Sequence, residues 1–139
     1  MSPMLILAAA AFDPLGGCAL VRPVTFFERL DALPPEIRAD FERRVGKIYG
    51  RNEKGVNFSD FPPAGAKTGK MLQYVGHAKG QWLISYMYGG IAIRQVTVSY
   101  LLTDPPSQWR GPRPVSKPYL LGALEGRGCD TANALQIGR

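Results

Sequence analysis

MLQYVGHAKGQWLISYMYGGIAIRQVTVSYLL, residues 71–102, consists of three apolar runs separated by two glycine-bearing breaks. The runs are Met71 to Val75, Gln81 to Tyr88 and Ile91 to Leu102, rich in the β-branched and aromatic residues that pack well on a pleated surface. Their separators, Gly76-His77-Ala78-Lys79-Gly80 and Gly89-Gly90, have the length of hairpin connections, the second being a two-residue turn. This punctuation predicts a three-stranded antiparallel β-meander. In the third run Val96, Val98, Tyr100 and Leu102 alternate with Gln95, Thr97 and Ser99, as expected of a sheet buried on one side only. Trp82, Ile84, Tyr86 and Tyr88 share one face of the second run.

Upstream, Glu36 to Tyr49 places Ile37, Phe41, Val45, Ile48 and Tyr49 at three- and four-residue spacing, which predicts a helix with an apolar stripe. Pro35 suits its first turn and Gly50 its end. Thr25-Phe26-Phe27-Glu28 has the spacing of a capping box, predicting a short helix from Phe26 to about Leu33 before Pro34-Pro35. The expected fold class is therefore α+β: two N-terminal helices packed on a three-stranded antiparallel β-meander. After Leu102 the prolines at 105, 106, 112, 114 and 118 predict an extended C-terminal tail, with a short closing helix from about Thr131 to Ile137. The chain thus divides into an apolar segment (1–21), an α+β domain (22–104) and a Pro/Arg-rich tail (105–139).

With 139 residues, 45% of them hydrophobic, the chain suits one domain able to bury about two-thirds of its unfolded surface. No run reaches the ~20 apolar residues of a spanning helix. The run Met4 to Phe12, followed by Leu15-Gly16-Gly17-Cys18, has the size of a signal-peptide core and ends like the lipobox of bacterial lipoproteins. Cys18 is then a lipidation candidate and the cell envelope the expected location. The alternative is an ordinary buried strand or helix in a cytoplasmic protein. Cys18 and Cys129 are the only cysteines, and three states are open to them: bridged, lipidated at Cys18, or free.

Charge is unevenly placed. The chain carries 17 Lys and Arg against 11 Asp and Glu, a net +6 that favours acidic partners. Arg43, Arg44, Lys47, Arg51, Lys54, Lys67, Lys70 and Lys79 face only Glu53 and Asp60 in the same stretch, so the whole excess lies there. These eight, with His77 and Arg94, are the candidate binding residues. Helix-dipole complementarity and an Asp40–Arg44 pair give Arg43, Arg44, Lys47 and Arg51 a structural purpose as well. Asn52 to Lys70, rich in Gly, Pro and Lys, reads as a long loop.

Several chemistries fail on residue content. One histidine and no CxxC or Cys/His cluster leave no metal site and no cofactor signature. Gly65-Ala66-Lys67-Thr68-Gly69-Lys70 lacks the spacing and terminal hydroxyl of a phosphate loop. Lys67-Thr68-Gly69 has no accompanying Ser-x-x-Lys. The acidic residues form no paired pattern, and His77, Cys129 and a carboxylate make no recognisable triad. No residue is assigned a catalytic role.

The order of two helices around Leu33-Pro34-Pro35, a basic loop and the Met71–Val75, Gln81–Tyr86 and Gly89–Ile93 meander resembles the RelE and HigB type of bacterial toxin, over roughly Phe26 to Pro106. The resemblance implies a small basic ribonuclease fold directed at RNA, with Arg94, His77, Lys79 and tyrosines as RNA contacts. Three functions are thus expected, in this order: a non-enzymatic, envelope-associated module binding an acidic protein or anionic surface; an RNA-directed toxin; and a structural part of a larger assembly, through its tail.

Overall fold

Strand β3 (Lys70–Ala78) is the axis of the molecule in a computed structural model that describes residues 12–58, 64–65, 67, 69–89, 93–103 and 116–136. Antiparallel hairpins carry it into β4 (Gln81–Tyr88) and β5 (Arg94–Thr103), and β5 into β6 (Lys117–Glu125). On the other side of β3, β1 (Thr25–Phe27) pairs antiparallel with its last third, and β2 (Ile48–Tyr49) pairs parallel with its first two residues. The result is one six-stranded sheet of order β1-β3-β4-β5-β6, with β2 beside β1 on β3. Two short helices complete it: α1 (Pro35–Val45) and α2 (Cys129–Leu135).

This corrects the expected architecture of two N-terminal helices on a three-stranded meander. Phe26 and Phe27 belong to a strand, followed only by a 3-10 turn at Leu30–Ala32. The reason is their neighbours: alternate residues of a strand face opposite ways. Phe26 meets Tyr74 edge-on at 5.2 Å on one face, while Phe27 lies 6.3 Å from Trp82 on the other. A helix would place the two rings about 100° apart on a single cylinder and forfeit one of these contacts.

The long helix is also shorter than its periodicity suggests. Gly46, with φ of 86°, stops α1 four residues before Gly50, and Ile48-Tyr49 leave it to pair with Lys70-Met71. Lys117–Glu125, expected in the extended tail, is the nine-residue strand β6, while Pro105 to Pro114 lie outside the described residues. Tyr88 pairs with Arg94, so five residues rather than the Gly89-Gly90 pair connect β4 to β5, and residues 90–92 lie outside the description. The closing helix begins two residues earlier than predicted.

Both faces of the sheet are covered over its central strands. Ile37 and Phe41 of α1, with Leu33, pack on Leu72, Val75, Ile84, Tyr86, Val98 and Tyr100. On the opposite face Ala132 and Leu135 of α2 join Tyr74 and Leu83, flanked by Phe12, Leu15, Leu20 and Phe26. A register shift beside Gln73 puts Leu72 and Val75 in one core and Tyr74 in the other. The second layer corrects the one-sided sheet: Thr97 and Ser99 are buried, and Gln95 is half-buried. Their polar atoms are satisfied laterally, with Gln95 Nε2 donating to Ser85 Oγ at 2.7 Å and Thr97 Oγ1 to the same atom at 3.0 Å.

The segment before β1 is fixed to α2. Cys18 and Cys129 form a disulfide with Cα atoms 6.2 Å apart, within the ordinary span of such a bridge. Nearby, Asn133 donates to the Ala19 carbonyl and accepts from the Val21 amide, and Gln136 accepts from the Arg22 amide. The apolar run from Met4 precedes the described residues, except for Phe12.

Candidate cationic interface

The ten candidate residues do not form one patch; the strands sort them. Lys70 opens β3, and its cross-strand partner is Tyr88, whose own partner on β5 is Arg94. These three therefore stand side by side on the same face, at one end of the sheet. Beside them β2 brings in Ile48 and Tyr49. Lys47 Nζ lies 5.0 Å from the Tyr49 ring centroid, and Lys67 Nζ lies 5.8 Å from it. The loop carrying Lys54 crosses the same end, for Lys67 N–H donates to the Gly55 carbonyl and Phe58 backs directly onto Gly89. Tyr49 is in register with Met71, so its ring, with Lys47 and Lys67 beside it, lies on the face opposite Lys70, Tyr88 and Arg94; Lys47, Lys54, Lys67, Lys70 and Arg94 share one end of the sheet rather than one face.

Two carboxylates temper this end. Lys67 donates to Glu53 Oε2 at 3.1 Å and, with help from the Gly50 amide, holds the Glu53 carboxyl below its usual range despite some desolvation. Arg94 faces Glu125 at 3.6 Å. Both pairs are well exposed, so water and salt screen them and a partner's carboxylates can replace Glu53 and Glu125 at little cost. Among the described residues Lys54 and Lys70 form no ion pair, and Lys47 acts on Glu53 only through its charge.

The remaining candidates are committed elsewhere. Arg43 and Arg44 both pair with Asp40, whose side chain is only 10% exposed and which also accepts from the Tyr100 hydroxyl at 2.9 Å. Arg51 Nε donates at 3.0 Å to the carbonyl of Gln73, where β3 is irregular, and its guanidinium lies 4.7 Å from the Phe12 ring centroid. It ties the loop and the N-terminal segment to the sheet. His77 is not in a turn: it lies within β3, between Thr25 and Trp82, with its ring stacked on Trp82 at 4.2 Å. Lys79 occupies the exposed β3–β4 turn. Eight residue steps along β3 separate Lys70 from Ala78, roughly 26 Å of strand, so His77 and Lys79 lie at the opposite end from the cluster.

A separate cleft of about 560 Å³ lies between the β1–α1 connection and β2, with Leu30, Ile48 and Leu72 as its apolar part. Glu28, Arg29, Asp31, Arg38 and Arg51 supply charges of both signs. Several are already paired, Arg29 with Asp31 at 3.0 Å and Arg38 with Glu42 at 3.0 Å. The cleft brings no nucleophile next to a base, and no three His, Cys, Asp or Glu side chains among the described residues are placed to hold a metal ion.

Charge density in the sequence pointed toward the cationic end but did not single out Tyr49 and Tyr88. Tyr49 reads as part of a helix stripe, and Tyr88 as one of four residues sharing a face of the second run. The available signal was the alternation in Gln81 to Tyr88, which puts Tyr88 at the strand's end, where burial is incomplete. No family profile matches this chain, and neither does any curated protein or solved structure.

Proposed function

We propose that this protein is a small, basic, non-enzymatic binding module that engages an acidic protein segment through the cationic end of its sheet. The observation that carries the reading is that five cations from four separate parts of the chain meet at one end of the sheet, Lys47 and Lys67 beside Tyr49 and Lys70 and Arg94 beside Tyr88, against two exposed carboxylates. A row of this kind attracts carboxylates at long range and seats them between ammonium groups at short range. Lysine ammonium heads on flexible stems suit a carboxylate-bearing segment of variable geometry. The Cys18–Cys129 bridge supports an oxidising compartment, with the bacterial envelope as the expected setting. A bridged Cys18 leaves no thiol for lipid, so the intact mass of the native protein separates the bridged form from the lipidated one.

The binding test is fluorescence anisotropy with labelled polyglutamate, single-stranded RNA and anionic vesicles at increasing salt. Polyglutamate should bind, with affinity falling steadily as salt rises. Lys70→Glu should weaken that binding by about tenfold, while Lys79→Glu, the same charge change at the far end, should leave it nearly unchanged. Equal losses in the two variants would reduce the effect to net charge and sink the assignment of a site. RNA binding without polyglutamate binding would favour the RNA-directed alternative, in which phosphates replace carboxylates at the same cations.

A further inference from the structure

β6 ends the sheet on the side away from β3, and no described residue pairs with its outer edge. It is nine residues long, whereas β1 and β2, which share the other margin, have three and two. Tyr119 is 53% exposed, Leu120 39%, Leu121 42% and Leu124 41%. Charge stands only at its ends, on Lys117 and Glu125, and its one proline is its second residue. Natural edges that face water are shortened, bulged or studded with charge in mid-strand; β6 has a register shift between Leu120 and Gly122 and a proline near its start but no charge between its ends, and a long apolar edge recruits another strand.

We propose that β6 pairs antiparallel with β6 of a second copy of this chain, across a two-fold axis between Leu121 and Gly122. Two observations select a second copy as the occupant. First, the opposite charges at the two ends mean that antiparallel approach brings the basic end of each strand to the acidic end of the other, while parallel approach would set like charges together. Second, the faces match. Ser99 pairs with Gly122 and Tyr100 with Leu120, so Leu121 is the extra residue of a bulge. Tyr119 and Leu124, in register with Leu101 and Thr97, therefore share one face, and Leu120 and Ala123, in register with Tyr100 and Val98, share the other. About that axis Tyr119 falls opposite Leu124 of the second copy, and Leu120 opposite its Ala123, each pair occurring twice. Aromatic–aliphatic and aliphatic pairs of this kind are the unit of sheet stabilisation. The interface draws on Glu125, the partner of Arg94, but leaves Lys47, Lys67 and Lys70 uncovered, so variants at Leu121 and Leu124 and a variant at Lys70 test the two readings separately.

Sedimentation equilibrium of the oxidised full chain, from low micromolar to submillimolar concentration, should show a species of twice 15.2 kDa. The Leu121→Lys/Leu124→Lys variant changes only exposed side chains, so it should keep the far-ultraviolet dichroism of the parent while its dimer dissociates about tenfold more readily or worse. Tyr119→Cys/Leu124→Cys should form a covalent dimer on mild oxidation, whereas Tyr119→Cys alone should not. A parent that stays monomeric throughout, open-ended aggregates in place of a dimer, a lysine variant as dimeric as its parent, or a cysteine pair that fails to cross-link would each overturn the proposal.

Discussion

Asp40 accepts from three donors on two elements: Arg43, Arg44 Nε at 2.7 Å and the Tyr100 hydroxyl at 2.9 Å. Burial raises the carboxyl, but hydrogen bonds from Arg44, Tyr100 and Arg43 outweigh it and hold Asp40 below the usual carboxylate range. Burial, and then the hydrogen bond to Asp40, push the Tyr100 phenol the other way, well above its usual value. A carboxyl whose folded-state value is depressed stabilises the fold in full above its unfolded value, and this contribution is lost as pH falls toward the folded value. Asp40→Asn should therefore cost about 1–3 kcal/mol at neutral pH. The gap between variant and parent should narrow below about pH 4. Urea midpoints at neutral and acidic pH measure this directly, and a gap unchanged in acid would show that the carboxylate's charge is not what matters. The Asp40–Arg44 spacing was legible in the sequence because both sit on one helix face. Tyr100, sixty residues away, was not, since its hydroxyl reaches Asp40 only once α1 lies across β5.

At the scale of elements, the β3–β4 hairpin closes with Lys79 and Gly80 both at positive φ, 34° and 83°. That is the geometry of a tight turn whose twist suits paired strands, and asparagine followed by glycine is its preferred sequence. Lys79→Asn should raise stability by roughly 0.5 kcal/mol, and Gly80→Ala should lower it by about 1 kcal/mol. Chemical denaturation of the two variants reads both signs, and a stabilised Gly80→Ala would refute the turn geometry. β4 was legible to the residue, because glycines and aromatic alternation bracket it. β1 was not, because a capping-box spacing is compatible with a strand whenever two cores compete for adjacent rings. β6 was hidden for a different reason: Tyr119-Leu120-Leu121-Gly122-Ala123-Leu124 has no alternation to detect, since both of its faces are largely exposed and a bulge shifts its phase.

For the whole molecule, the basic stretch from Arg43 to Lys79 was visible as composition, but its division into committed and available cations depends on pairing. β3 alone sends Lys70 and Lys79 to opposite ends. The polar positions at 95, 97 and 99 suggested a wet face, yet α2 and the segment before β1 cover that side of the sheet, and the buried hydroxyls and amides satisfy one another. The bridge between Cys18 and Cys129 closes a loop of 111 residues and should contribute about 4–5 kcal/mol in the chain-entropy account. Cys18→Ser/Cys129→Ser, compared with the oxidised parent by urea unfolding, should lose stability of that order, and an unchanged midpoint would mean that the second layer holds without it. Every strand among the described residues lies between the two bridged positions. Traction applied to the chain outside them therefore passes through the sulfur linkage rather than through the hydrogen-bonded ladders, and a molecule held by its ends can bear a load without its sheet being peeled apart.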